Sequence, residues 1–213
     1  MQKEEALARI AQGVSKFHTE IYPAQRVMFE RLRTGQEPLA LFLTCADSRV
    51  NPNLVTQMEP GEIFVERNPG NMVPLYVEFV GGVTAGVEYA MLVLKVPVIV
   101  ICGHTDCGVM KALLHPEQVE GMPGVRHWMS HGFAARSQAL RKFGDAPEDV
   151  QLRQITEFNV LAQIEHLKTH PSVHSRLLRG EIEIRGWLYD IGDGSISQFN
   201  PANGRFERMG AAG

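Results

Sequence analysis

The 213-residue chain is short of cysteine, tryptophan and net charge, and each shortage excludes something. Three cysteines, Cys45, Cys102 and Cys107, are too few and too odd in number for a disulfide framework. In a reducing compartment, cysteines near a histidine serve more often as metal ligands or nucleophiles than as bridges. A net charge of -3 supplies no basic field, so neither nucleic acid nor a membrane surface is expected as a partner. No stretch approaches the roughly 18 consecutive apolar residues of a membrane span. The opening MQKEEALARI lacks the apolar run of a secretory signal, and the early acids Glu4, Glu5 and Glu20 are unlike a transit peptide. A cytoplasmic location is the expectation. Repeats, low-complexity tracts and linkers are also missing, so 1–213 reads as a single domain, with 1–35 a helical arm and 36–213 the core. At 44% hydrophobic and 21% charged residues, that core can form without disulfides.

What is present reads as alternating strands and helices. Leu7, Ile10, Val14 and Phe17 recur at helical spacing over residues 5–33, and Pro23 is expected to divide that stretch from a second helix bearing Val27, Met28 and Leu32. Leu39–Thr44 is a continuous apolar run ending at Cys45, and Val98–Cys102 is another ending at Gly103-His104; both suit strands buried on two faces. Ile63–Glu66 is a strand candidate between turn signals, and 83–95 a helix. A long helix is expected over 147–169 and another after Pro171, then two strands, Ile182–Ile191 and Ser195–Phe199, joined by Gly192-Asp193-Gly194. The fold class is α/β: a central, mostly parallel sheet flanked by helices, with an N-terminal helical arm and a C-terminal strand hairpin. Such sheets bind ligands outside the carboxyl ends of their strands, and Cys45 and His104 are expected just past two such ends.

The chemistry concentrates in Cys45-Ala-Asp-Ser-Arg-Val50 and Gly103-His-Thr-Asp-Cys-Gly108. Zinc takes thiolate and imidazole ligands, and a catalytic site uses three of them plus a water. His104 and Cys107 can face one point across a tight turn, with Cys45 joining from a neighbouring strand. Cys102, inside its strand, reads as core. His-x-x-Cys alone is a weak motif, and a lone cysteine ending a buried strand is usually only a small apolar residue. Two such segments at matching strand ends, with Asp47 and Arg49 beside the first, carry far more weight.

Taken together these motifs resemble the paired zinc motifs of beta-class carbonic anhydrases, in their plant-like and bacterial subgroup. The likeness runs from about Gln36 through Tyr189, and takes in Pro60-Gly61, Arg67-Asn68, Gly81-Gly82, Glu88-Tyr89-Ala90, Thr169–Val173 and Gly186–Asp190. The resemblance implies a Zn2+ enzyme, a carbonate dehydratase, that hydrates carbon dioxide to bicarbonate through zinc-bound hydroxide. It implies Cys45, His104 and Cys107 as metal ligands, and Asp47 and Arg49 as the catalytic pair in which arginine holds the carboxylate. Gln36, Phe64, Tyr89 and Gly108 match substrate-binding positions, Gln36 from across a dimer interface, so a homodimer or higher homo-oligomer is implied. In some members the aspartate takes the fourth zinc position; Gln36 favours the open subgroup. One position departs from the pattern: Pro69 stands where a small residue is usual in Arg-Asn-x-Gly-Asn.

Other readings compete. A cysteine-phosphatase loop needs arginine six positions after the cysteine, and position 51 is Asn51. Hydrolysis of carbon disulfide or carbonyl sulfide would use the same zinc chemistry. A zinc-stabilised assembly module would need a fourth ligand, for which Asp47 is the nearby candidate. His115, His127 and His131 are candidate proton shuttles, though surface histidines are commoner. His166, His170 and His174 are spaced by four, but Pro171 interrupts any single helical stripe. Val80-Gly81-Gly82 precedes a helix without the Gly-x-Gly-x-x-Gly or Gly-Lys-Ser/Thr of a phosphate loop.

Overall fold

A computed structural model describes residues 2–76 and 81–210. Of the Val80-Gly81-Gly82 run, Val80 lies outside the described residues, as does the closing stretch from 211 onward. Two compact units are present, Met1–Glu37 and Pro38–Gly213. Among the described residues no helix is long and apolar enough to cross a membrane.

The first unit contains α1 (Lys3–Lys16), a π-helical turn (Phe17–Ile21), the short α2 (Tyr22–Ala24) and α3 (Arg26–Leu32). Pro23 was expected to divide two helices, but the break falls at Gln25, with φ -110 and ψ 18. Proline is tolerated in the first turn of a helix, where its missing N–H is unpaired in any case, and the widened π turn precedes it. The rings of Phe17, Tyr22 and Phe29 pack on one another, with Tyr22 and Phe29 stacked at 5.0 Å. No residue of α1 is buried, and Leu7, Ile10 and Val14 form an exposed apolar stripe.

The second unit is a six-stranded sheet in the order β2-β1-β3-β4-β5-β6. It comprises β1 (Ala40–Cys45), β2 (Ile63–Asn68), β3 (Val98–His104), β4 (Glu183–Tyr189), β5 (Ile196–Asn200) and β6 (Arg205–Arg208). The first four strands are parallel, and β5 and β6 add in antiparallel fashion. Helices α4 (Pro52–Thr56), α5 (Gly82–Leu92), α6 (Gly108–Leu114), α7 (Pro123–Met129), α8 (Phe133–Phe143), α9 (Glu148–Lys168) and α10 (Pro171–Leu178) occupy the connections. The unbroken apolar runs of β1 and β3 are explained by burial on both faces. Leu41, Leu43, Ile99 and Ile101 point into one core with Val87, Met91 and Val160, while Phe42, Val100 and Cys102 line the other.

Two details differ from the sequence expectation. Cys45 and His104 are the last residues of their strands, not the first beyond them, because the ladder with β2 and β4 continues through them. The expected C-terminal hairpin carries an additional strand, β6, paired Phe206 to Phe199. The order β2-β1-β3 reverses direction between β1 and β3, so a crevice opens beyond the carboxyl ends of those two strands.

Candidate active site

Cys45 and His104 end the two strands that flank this reversal, and Thr105-Asp106 turns the chain so that Cys107 caps the start of α6. Asp106 sits at φ 59, a left-handed conformation that makes the turn tight. The ligand atoms of Cys45, His104 and Cys107 all lie within 4.8 Å of one another, and all three residues are buried. The two sulfurs are 3.9 Å apart, and tetrahedral zinc–thiolate bonding at about 2.3 Å places sulfurs about 3.8 Å apart.

The electrostatics of the trio fit a cation. His104 Nδ1 donates to the Thr105 carbonyl at 2.8 Å, a bond that puts the proton on Nδ1 and the lone pair on Nε2. That Nε2 is buried and has no partner in the protein. An unpaired buried nitrogen is costly unless something fills its place. Hydrogen bonding from Cys107, with help from the Gly70 N–H, pulls the Cys45 thiol well below its ordinary range, whereas the bond to Cys45 and burial push Cys107 up. The pair thus gives up one proton readily and the second only when positive charge arrives. Cys102 is different: burial raises its thiol to about 12, as suits an inert core residue.

Beside the trio, Arg49 Nε and its backbone N–H donate to Asp47 Oδ1 at 2.9 and 3.0 Å, and Nη2 donates to Oδ2 at 2.8 Å. These bonds hold Asp47 well below the usual carboxylate range. Asp47 Oδ2 lies 3.9 Å from His104 Nε2, so the carboxylate borders the same small volume. Arg49 is braced in turn. Its Nη1 donates to Asp106 Oδ2 at 2.7 Å and its Nη2 to the Asp106 carbonyl at 3.1 Å. Asp106 also pairs with Lys111, and its carboxyl is held down to about 2 by Arg49 first and Lys111 second. Arg67 fixes the Cys45 loop from the far side, donating to the Cys45 carbonyl at 3.1 Å and the Asp47 carbonyl at 2.7 Å.

The remaining sequence candidates are more dispersed. Phe64 on β2 and Tyr89 on α5 meet each other, ring centroids 5.9 Å apart, and Phe64 packs on the larger core. Cys45 and Cys107 belong to a second core cluster. Gly108 opens α6, is exposed, and has no atom within 4 Å of where a Cβ would stand. Gln36 lies exposed in the first unit, after α3. Asp106 and Arg67 make bracing contacts to which the residue patterns assigned no role, although Arg67 stands in the Arg67-Asn68 pair of the resemblance. Asp106 stands inside the Gly103–Gly108 motif, but its link to Arg49 spans 57 positions and leaves no local signature.

Comparison with known proteins identifies the family. The family model for carbonic anhydrase matches residues 40–196. A carbonic anhydrase of Pseudomonas aeruginosa is 45% identical over 197 residues, covering 92% of this chain and 89% of that protein. Among solved structures, the beta-carbonic anhydrase CcaA superposes with a TM-score of 0.92 at 37% identity, covering 95% of this chain and 99% of that one. One of two tetrameric beta-carbonic anhydrases from Sordaria macrospora gives 0.72 at 27% identity, over 98% and 96% of the two chains. The chain belongs to the carbonic anhydrase family, in its beta class.

Proposed function

We propose that Cys45 Sγ, His104 Nε2 and Cys107 Sγ hold one zinc ion, around which this carbonic anhydrase carries out the reversible hydration of carbon dioxide to bicarbonate and a proton. The observation that carries the metal is the orphaned, buried His104 Nε2 facing two buried sulfurs 3.9 Å apart. Held by these three residues, zinc would supply the Lewis acidity that makes water acidic enough to react near neutral pH.

The protein's own residues supply orientation and charge balance. Asp47, kept ionised by Arg49, is a fixed acceptor that takes a hydrogen bond from the reacting water and turns a lone pair toward carbon. Arg49 cannot drift, because Asp47 and Asp106 hold it from two sides. Two thiolates offset a divalent cation and Arg49 offsets Asp47, so the site is close to neutral and suits an uncharged substrate. Phe64 and Tyr89 form an apolar wall for carbon dioxide in this reading, and Gln36, reaching in from across a dimer interface, binds an oxygen of the product. Gly108 leaves room at the mouth, since a side chain there has nothing of the protein to rest on.

The helical arm and the α/β core act as one functional unit, and the assembly is a homo-oligomer built on a dimer. The Sordaria relatives are tetrameric, and the Leu7–Ile10–Val14 stripe offers an uncovered apolar face for a second copy of the chain. A cytoplasmic location suits three buried, free cysteines. Metal analysis and stopped-flow hydration on the same sample test the proposal. Cys45→Ala should lose both zinc and activity; full activity in a zinc-free Cys45→Ala protein sinks it.

A further inference from the structure

A polar network, buried except at its Trp128–Pro69 bond, touches the metal centre through one peptide unit. The Pro69 carbonyl and the Gly70 N–H belong to the same peptide. Its N–H donates to Cys45 Sγ at 3.3 Å, and its carbonyl accepts from the Trp128 indole N–H at 2.8 Å. The following carbonyl, that of Gly70, accepts from Asn159 Nδ2 at 3.0 Å. Asn159 Oδ1 accepts from Gln163 Nε2 at 2.9 Å, and the same nitrogen donates to the His131 carbonyl at 2.9 Å. Gln163 Oε1 accepts from the Val73 N–H at 2.7 Å.

The setting makes this an expensive arrangement for a merely structural helix face. Asn159 and Gln163 are fully buried on α9, beside the apolar Ile155, Val160 and Leu167. Apolar residues of similar size would fill the same space without desolvating two amides. What the amides supply is direction. A donor on a peptide carbonyl polarises that peptide and strengthens its N–H as a donor to the next acceptor. Here the Trp128 indole polarises the peptide whose N–H meets the Cys45 sulfur. Gly70 adopts φ +76, and a Cβ there would stand 2.9 Å from Val109 Cγ1, so the loop can turn its N–H inward only as glycine. Pro69, with its fixed φ, further limits that turn.

We propose that Trp128, Asn159 and Gln163 are positioning residues for the metal: they aim the Pro69–Gly70 peptide at Cys45 Sγ and so set how tightly zinc is held. The inference rests on the metal reading above. Groups that orient a metal ligand from behind are typically worth about 10- to 100-fold in metal affinity. Trp128→Phe keeps an aromatic ring and removes the donor. Asn159→Leu keeps bulk and removes both of its bonds. Thr156→Val is the control, since Thr156 is buried on the same helix but bonds only to the Leu152 carbonyl.

Zinc affinity by chelator competition, and the thiolate-to-cobalt charge-transfer band of cobalt-substituted protein, are measured on intact wild type and variants. Trp128→Phe and Asn159→Leu should each weaken zinc about tenfold and shift the band, while Thr156→Val changes neither whatever it does to unfolding. The Gly70 amide should also exchange hydrogen slowly in wild type and faster in Trp128→Phe. Should Asn159→Leu not fold, Trp128→Phe decides alone. Wild-type affinity and an unshifted band in Trp128→Phe overturn the inference and leave the zinc site standing. A wild type that binds no zinc overturns both.

Discussion

The Arg49 guanidinium closes on the Asp47 carboxylate from one side, Nε to Oδ1 at 2.9 Å and Nη2 to Oδ2 at 2.8 Å, leaving the other side toward His104 Nε2. A carboxylate so gripped can neither rotate nor take up a proton near neutral pH. Asp47→Asn turns one acceptor into a donor that Arg49 repels. We predict that the variant retains zinc and loses about a hundredfold in kcat/KM for hydration, the scale of a misplaced orienting group. Stopped-flow rates beside zinc content check this; loss of the metal together with the rate would assign Asp47 to metal retention instead.

Arg49→Lys keeps the charge and loses the fork. A lysine ammonium cannot engage both Asp47 oxygens and Asp106 together. The rate should fall nearly as far as in Arg49→Ala, with zinc content unchanged. A lysine variant close to wild type would mean that charge alone suffices, and that the brace from Asp106 is immaterial.

Gly70→Ala tests the loop. The backbone is left-handed at φ +76 and Val109 Cγ1 stands 2.9 Å from the added carbon. A destabilisation of about 1–3 kcal/mol is expected for a residue forced into such a conformation, read as a lower urea midpoint in zinc-free protein. An unchanged midpoint would show that the loop relaxes at no cost.

The parts of the fold that were legible in the sequence are those where local pattern and burial coincide. Leu41–Leu43 and Ile99–Ile101 run apolar because both faces of β1 and β3 are covered, and the ligand residues stand where those runs stop. The 21-residue α9 announced itself by length and by Pro171 beyond it. By contrast, α6, α7 and α8 are short, and their buried Met110, Leu113, Met129 and Ala139 are set by packing around the site, not by a long periodic stripe. Strand β6 has only Phe206 as an apolar residue and exists because it pairs with β5. The metal trio and Asp47–Arg49 lie within short motifs and could be read. Asp106 on Arg49 and Trp128 on Pro69 join residues 57 and 59 positions apart, and only the folded chain brings them together.

Stability should also depend on pH through His170. The residue is fully buried, its Nε2–H donates to the Pro74 carbonyl at 3.0 Å, and Tyr76 packs edge-on against the ring. Burial lowers its pKa, opposed by the bond to Pro74 and by Glu88, with nearby His166 adding to the lowering. The folded protein therefore favours neutral imidazole. This contribution is complete above the unfolded value of about 6.5 and declines as pH falls below it toward the folded pKa. His170→Gln keeps a donor for Pro74 and removes the titration. Urea midpoints of wild type and variant should converge between pH 7.5 and 5.5 on a ~6.5 reference; parallel curves would refute the assignment.

The most direct measurement strips the metal and returns zinc stepwise while carbon dioxide hydration is followed on the same sample. The rate should rise in proportion to zinc and level off at about one ion per chain, as three protein ligands around one open position require. Hydration that persists in the stripped protein, or that is indifferent to returned zinc, would contradict a catalytic zinc held by Cys45, His104 and Cys107.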